Sequence, residues 1–186
     1  MDRLFSARYS AIIAIILFAA LSRLLPHPPN FTAIGAMALF AGAFLPLAIA
    51  WLVPVIAMLI SDLVINNVLY AEFYGQFVWV SPSAAWTMLA VALITVLGSQ
   101  LLAKVSVLRL FGASLSASLL FFLVSNIGPW LSMEIYPNTV SGLIAAYIAA
   151  IPFFGNTIAG DLFFCAILFG GFALLSSRWR SLRAAA

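Results

Sequence analysis

A chain of 186 residues with 66% hydrophobic and only 7% charged side chains cannot build a water-facing surface, since soluble domains carry about 25% charged residues. Its net charge of +3 falls well short of the dense basic patch that nucleic-acid binding requires, and a single cysteine, Cys165, excludes an internal disulfide. What remains is an all-α integral membrane protein. Spanning helices need about 20 apolar residues each, so residues 1–186 accommodate six of them in one transmembrane domain.

The first predicted helix runs from about Ala7 to Leu25 and stops at Pro26, Pro28 and Pro29, because proline cannot continue a helix. It could be mistaken for a signal peptide, but a small-residue cleavage site is lacking and Arg23 lies within it, so it is expected to be retained. A second, short helix is expected from Thr32 to Phe44, with a tight turn at Pro46. The third covers Leu47 to Leu69 with a kink at Pro54, and Tyr70 to Ser83 forms a polar-aromatic loop. The fourth spans Ala84 to Leu102, Lys104 to Arg109 make a turn, and the fifth covers Leu110 to Leu131. Val140 to Ile151, bounded by prolines and too short to span, is expected as a re-entrant or interfacial helix over the outer face. The sixth runs from Asn156 to Leu175.

Six crossings put seven of the eight basic residues on one side: Arg3, Arg8, Lys104, Arg109, Arg178, Arg180 and Arg183. Only Arg23 falls on the other side, where Glu72 and Glu134 sit in loops. Cytoplasmic loops collect Lys and Arg, so both termini are expected in the cytoplasm, with the basic ends facing an anionic inner leaflet.

Two acids interrupt apolar runs, Asp62 and Asp161. A charge at mid-bilayer costs at least about 2.5–3.5 kcal/mol, so both are expected to face the bundle interior. Arg23 is the one cation near their depth, which makes a structural Arg–Asp cluster the plain expectation. Asp161 follows Asn156 and Thr157 at an expected helix start, where an acid favours the helix dipole. The only histidine, His27, lies between prolines and is either a rigid loop residue or a ligand; Cys165 is expected to be packed in the core. On the outer side, Trp79 and Trp130 are accompanied by Gln76, Ser81, Asn126 and Asn138. An interfacial aromatic belt explains them by default, whereas a small-molecule pocket combines such rings with a few polar groups. Ala7, Ala11 and Ala14 share one face of the first helix, suited either to internal packing or to docking another membrane subunit. Phosphate-cradling, nucleophile-elbow and HExxH motifs are all missing, so catalysis is not expected.

The run Ser22-Arg23-Leu24-Leu25-Pro26-His27-Pro28-Pro29-Asn30-Phe31-Thr32, followed by Ala36-Met37-Ala38-Leu39-Phe40-Ala41-Gly42, resembles a family of small bacterial membrane proteins of uncharacterised function. Leu59-Ile60-Ser61-Asp62-Leu63, Tyr147 to Phe154 and Gly160-Asp161-Leu162-Phe163 fit it too. That family looks like the substrate-binding S components of energy-coupling-factor (ECF) vitamin transporters. The resemblance implies a six-helix bundle in the bacterial cytoplasmic (inner) membrane, both termini inside, with a vitamin captured by the outer loops. It also implies a coupling transmembrane/ATPase module that docks on Ala7, Ala11 and Ala14. By analogy with small cobalamin transporters, cobalamin is the expected cargo, as transported substrate rather than cofactor, with His27 or Cys165 as a potential axial ligand to its cobalt. The ligand-contacting set expected is His27, Asn30, Asp62, Tyr74, Trp79, Asn126, Trp130 and Asn156. Two other functions fit the sequence: an ion-coupled transporter working through Asp62 and Asp161, and an assembly subunit that binds no small molecule.

Overall fold

Inside hydrocarbon every backbone N–H and C=O must be satisfied within the protein, and a helix does this without neighbours. The computed structural model describes residues 7–133 and 135–183, and these form helices and turns with no strand among them. Arg3 and Glu134 lie outside the described residues. Helix α1 covers Ala7–Leu21 and tightens into a 3-10 turn over Ser22–Leu24. Leu25 is then extended, as the residue before a proline must be.

Helix α2, Ile34–Phe44, is buried from Ile34 through Gly42. Pro46 starts α3, Leu47–Ala50, and α4 follows over Leu52–Val64. Pro54 falls in the first turn of α4, where its missing N–H removes no helical bond; the break in this span comes just before it, at Trp51. The span continues into a π-helical turn, Ile65–Leu69, and the short α5, Ala71–Tyr74. Helix α6 spans Ala84–Leu101. The fifth predicted helix is divided at Asn126 into α7, Val107–Ser125, and α8, Ile127–Ser132.

Helix α9, Val140–Arg178, corrects the sequence expectation most. The re-entrant segment and the sixth predicted helix are one continuous helix of 39 residues. Pro152 removes one N–H from its interior, yet neighbouring helices hold both sides of that point. Tyr147 donates its hydroxyl to the Leu123 carbonyl at 2.5 Å, and Phe154 packs on Phe122 with ring centroids 4.8 Å apart. In lipid, packed neighbours re-satisfy a helix that proline would end in water.

Among the described residues, five stretches are long and apolar enough to cross a membrane: Ala7–Leu24, Leu47–Leu69, Ala84–Leu101, Val107–Ser132 and Val140–Arg178. Helix α2, the remaining one of the six predicted, has 11 residues and reaches only roughly 16 Å at 1.5 Å per residue. It packs in the middle, against α1, α4, α6, α7 and α9. Its Gly and Ala content is what admits it there. A Cβ on Gly42 would overlap the Thr95 carbonyl of α6, and a Cβ on Gly98 of α6 would lie 2.7 Å from the Leu39 carbonyl of α2. Two backbones thus approach where small residues permit, as is usual between helices in lipid.

The bundle has two different ends. At one, Arg8 donates to the Leu182 carbonyl at 2.7 Å and lies over the rings of Phe44 and Phe172, 5.7 and 5.4 Å from their centroids. Phe40, Phe44, Phe169 and Phe172 fill this end, with centroids 4.9–5.6 Å apart. The start of α1 and the close of α9 therefore meet. At the opposite end Arg23, Ile34, Asp62, Ser83, Phe121 and Thr157 surround one cavity. Helices α1, α4 and α7 arrive at that cavity, and α2, α6 and α9 run away from it. The α6–α7 connection with Lys104 and Arg109 consequently joins Arg8, Arg178, Arg180 and Arg183 at the phenylalanine end.

Candidate functional site

The cavity has a volume of about 300 Å³. It is built where α1 and α4 end and α2 and α6 begin, against the middle of α9 and the last part of α7. Its charged groups are Arg23, Asp62 and Asp161, and its uncharged polar lining includes Asn30, Thr32, Asn66, Tyr74, Ser81, Ser83, Thr87 and Thr157.

Arg23 crosses from the end of α1 to one face of α4. Met58, Ser61 and Asp62 stand three and four residues apart, hence on one face. Arg23 donates from Nη2 to Asp62 Oδ1 at 2.6 Å and from Nη1 to the Met58 carbonyl at 3.2 Å and to the Ser61 hydroxyl. The two side chains are 12% and 19% exposed, so little water screens the pair. The predicted Arg–Asp cluster is present for Asp62. Charge is neutralised there, but the Arg23 Nε is buried without a hydrogen-bond partner.

Asp161 belongs to a different construction. It lies 21 residues into α9, so the expected position at its own helix start is corrected: it serves another helix. Its carboxylate accepts the Ser118 hydroxyl of α7 at 2.7 Å and faces the backbone N–H of Ala36, in the first turn of α2. The first N–H groups of a helix have no partner within it and carry partial positive charge. A buried carboxylate from α9 meets that need, and Gly35 makes room for it. A Cβ on Gly35 would sit 2.7 Å from the Asp161 carboxyl carbon.

The proline-rich loop between α1 and α2 is fastened along α9. Asn156 donates to the Pro29 carbonyl at 2.9 Å, and Phe31 packs on Phe163 and Phe164 with centroids 5.7 and 5.9 Å away. Gly160 lets the Thr32 backbone come close, since a Cβ there would be 3.0 Å from the Thr32 nitrogen. Asn30, in the left-handed region at φ 63, turns the chain toward the cavity; Asn tolerates that region better than most residues.

The π-helical turn of Ile65–Leu69 supplies two asparagines with opposite duties. Asn67 receives the Val78 N–H at 2.7 Å and donates to the Val78 carbonyl at 2.8 Å, clamping the loop that carries Ser81, Pro82 and Ser83 over the cavity. Asn66 turns inward, is 7% exposed and lines the cavity, and its Nδ2 has no hydrogen-bond partner. Turns of this kind are frequent at functional sites.

Of the eight residues expected to contact a ligand, the cavity collects Asn30, Asp62 and Tyr74. Asn156 acts one step back, through the Pro29 carbonyl. The other four are elsewhere. His27 is exposed with Nδ1 2.9 Å from the Pro28 carbonyl, and Trp79 is 72% exposed, packed on Phe77. Asn126 donates to the Phe122 carbonyl at 2.8 Å, and the Trp130 indole N–H to the Pro137 carbonyl at 3.1 Å. Both hold the α7–α8–α9 junction. Cys165 is buried at 2% exposure among core residues and does not line the cavity. Among the described residues, no group of three or more His, Cys, Asp or Glu side chains could hold a metal ion. Sequence reasoning passed over Asn66, Thr157, Ser83 and Thr87; only Asn66, a polar residue ending an apolar run, offered a signal. Along α1, Ala7 and Ala14 are exposed and Ala11 half-buried, so internal packing is not the role of the first two.

No curated protein and no solved structure matches this chain. A family model described as a family of unknown function, DUF6580, matches residues 4–182. A match over nearly the whole length, across the proline-rich loop, α2 and the Asp161 segment alike, shows that the chain belongs to DUF6580.

Proposed function

We propose that this protein captures a small water-soluble metabolite at the outer face of the bacterial cytoplasmic membrane and brings it inward, as the substrate-binding subunit of an ECF-type transporter or as a solitary transporter. The observation that carries this reading is the cavity of about 300 Å³, polar and charged inside an otherwise apolar bundle, open at one end and backed by phenylalanines at the other. Polar groups within a membrane bundle are costly and mark substrate paths.

The six-crossing topology with cytoplasmic ends has two supports. Five crossings would separate the chain ends, whereas Arg8 bonds Leu182, which supports reading α2 as a sixth, shortened pass. Basic residues also gather at the end away from the cavity, which orients that end inward. The exposed Ala7 and Ala14 on α1 suit docking of a coupling module. The cavity lies at the low end of the roughly 300–1,000 Å³ range of ligand pockets, which favours the smaller vitamins. Cobalamin would require the loop clamped by Asn67 to withdraw, and with His27 and Cys165 away from the cavity neither is offered to its cobalt.

The test is mass spectrometry of protein purified from cells fed a vitamin mixture, followed by binding measurements in lipid nanodiscs. A co-purified metabolite that binds saturably, with affinity reduced at least tenfold by Asp161→Asn, is the expected result. An empty protein with no thermal shift for any vitamin overturns the proposal. A second reading, ion-coupled transport, rests on Asp161 rather than Asp62, since Asp62 is held by Arg23 whereas Asp161 forms no ion pair among the described residues.

A further inference from the structure

Five hydroxyl groups of the cavity lining have nothing to bond within the described protein. Thr32 lies before α2, Tyr74 ends α5, Ser81 and Ser83 lead into α6, and Thr87 is in the first turn of α6. These residues are half-buried, and their hydroxyls make no hydrogen bond among the described residues. Unlike Arg23 Nε and Asn66 Nδ2, they are not sealed off from solvent. Thr157, the sixth hydroxyl of the lining, is already engaged by the Phe153 carbonyl at 3.3 Å. Ile34, Ile65, Phe121 and Met133 add an apolar lining.

The charged groups, by contrast, are engaged by the protein itself. Arg23 and Asp62 are paired at 2.6 Å. Asp161 is 3% exposed, and its carboxyl is met by the Ser118 hydroxyl and the Ala36 N–H. An ion entering this space sheds water without gaining an unpaired partner, and a charge buried in that way is costly. A hydroxyl donates one hydrogen bond and accepts others. The reachable polar surface is therefore uncharged and serves donors and acceptors alike.

Resting on the capture function proposed above, we infer that the ligand is a small uncharged molecule that carries hydrogen-bond donors and acceptors on an apolar body and is held by the hydroxyls of Thr32, Tyr74, Ser81, Ser83 and Thr87. Ring lactams, carboxamides and hydroxylated rings belong to this class. Carboxylates, phosphates and ammonium compounds do not. Discrimination arises because a net charge finds no unpaired counter-charge, whereas each neutral polar group finds a hydroxyl that adapts to it.

Two series in which only the charge on one ring changes test this on the whole protein in nanodiscs, by ligand-observed NMR at neutral pH. The first compares nicotinamide with nicotinate, an anion, and with 3-(aminomethyl)pyridine, a cation. The second compares thymine with 5-carboxyuracil and 5-(aminomethyl)uracil. The neutral member of at least one series, or a neutral co-purified metabolite, is expected to bind about tenfold more tightly than its charged relatives. Its affinity should move less than about twofold between low and high salt, since screening acts on charges. Combining Tyr74→Phe, Ser83→Ala and Thr87→Val removes three hydroxyls that have no partner in the protein to lose. That variant should bind the neutral ligand at least about tenfold more weakly with an unchanged melting midpoint. A charged member that binds as tightly as the neutral one overturns the inference, as does unchanged affinity in the triple variant. A co-purified metabolite with a net charge overturns it too, and in each of these cases the capture function stands. If neither series nor any vitamin binds, both fall together.

Discussion

The two ends of this bundle solve the problem of closing a helical protein in opposite ways. At the basic end four phenylalanines interlock and Arg8 covers two of them, so an aromatic surface completes its own packing. At the cavity end, polar side chains from the loop before α2, the π-helical turn and the middle of α9 face a shared space. The first end is complete; the second leaves buried donors without partners. Most of the unsatisfied buried polar atoms described, two of three, lie on residues that line the cavity; the third is Ser114 Oγ on α7.

The difference between the two ends depends most on the Arg23–Asp62 pair. Asp62→Ala leaves a cation without compensation in a low-dielectric setting, and losses of about 3–5 kcal/mol are typical of such deletions. The melting midpoint in nanodiscs should fall sharply, and the double change Arg23→Leu with Asp62→Leu should recover most of it. Next in size is Gly42→Leu, which forces a side chain into the Thr95 carbonyl; overpacking of this kind costs about 1–3 kcal/mol. It should destabilise both ends together, since α2 joins them, as thermal unfolding will report. Arg8→Ala removes the cover from Phe44 and Phe172, a contact worth roughly 0.5–2 kcal/mol. Hydrogen exchange at residues 179–183 should rise while ligand binding at the far end stays within twofold. The smallest effects belong to exposed aromatic and ring groups: Trp79→Ala and His27→Ala should each change stability by less than about 0.5 kcal/mol and binding by less than twofold.

Some of this was legible because charge inside hydrocarbon has few outlets. Arg23 and Asp62 were recognisable as partners from scarcity alone. Asp161 was recognisable as buried, but the group that receives it, the start of α2, is brought up by tertiary packing, and no spacing in the sequence records that approach. Pro152 misled for a related reason: proline breaks helices in water, whereas here Tyr147 and Phe154 keep both flanks seated on α7. Trp79 and Trp130 drew attention as large amphipathic rings, yet the lining falls to small polar residues such as Ser83, Thr87 and Thr157. Asn66 faces inward only because the π-helical turn shifts the register of residues 65–69.

The shortness of α2 also has an electrical meaning. Asp161, at its start, and Phe172, under Arg8, are eleven residues apart on α9, roughly 16 Å of helix rise. Between these levels the bundle is apolar and aromatic. With the cavity end facing outward, as proposed above, water filling it would carry the outer potential towards Asp161, and the membrane voltage would drop across an insulating septum about half the usual thickness of about 30 Å. A unit charge traversing it exchanges about 2.3 kcal/mol per 100 mV, concentrated in a field about twice as steep as elsewhere in the bilayer. Anything charged that passes from the cavity to the basic end is moved over that short interval.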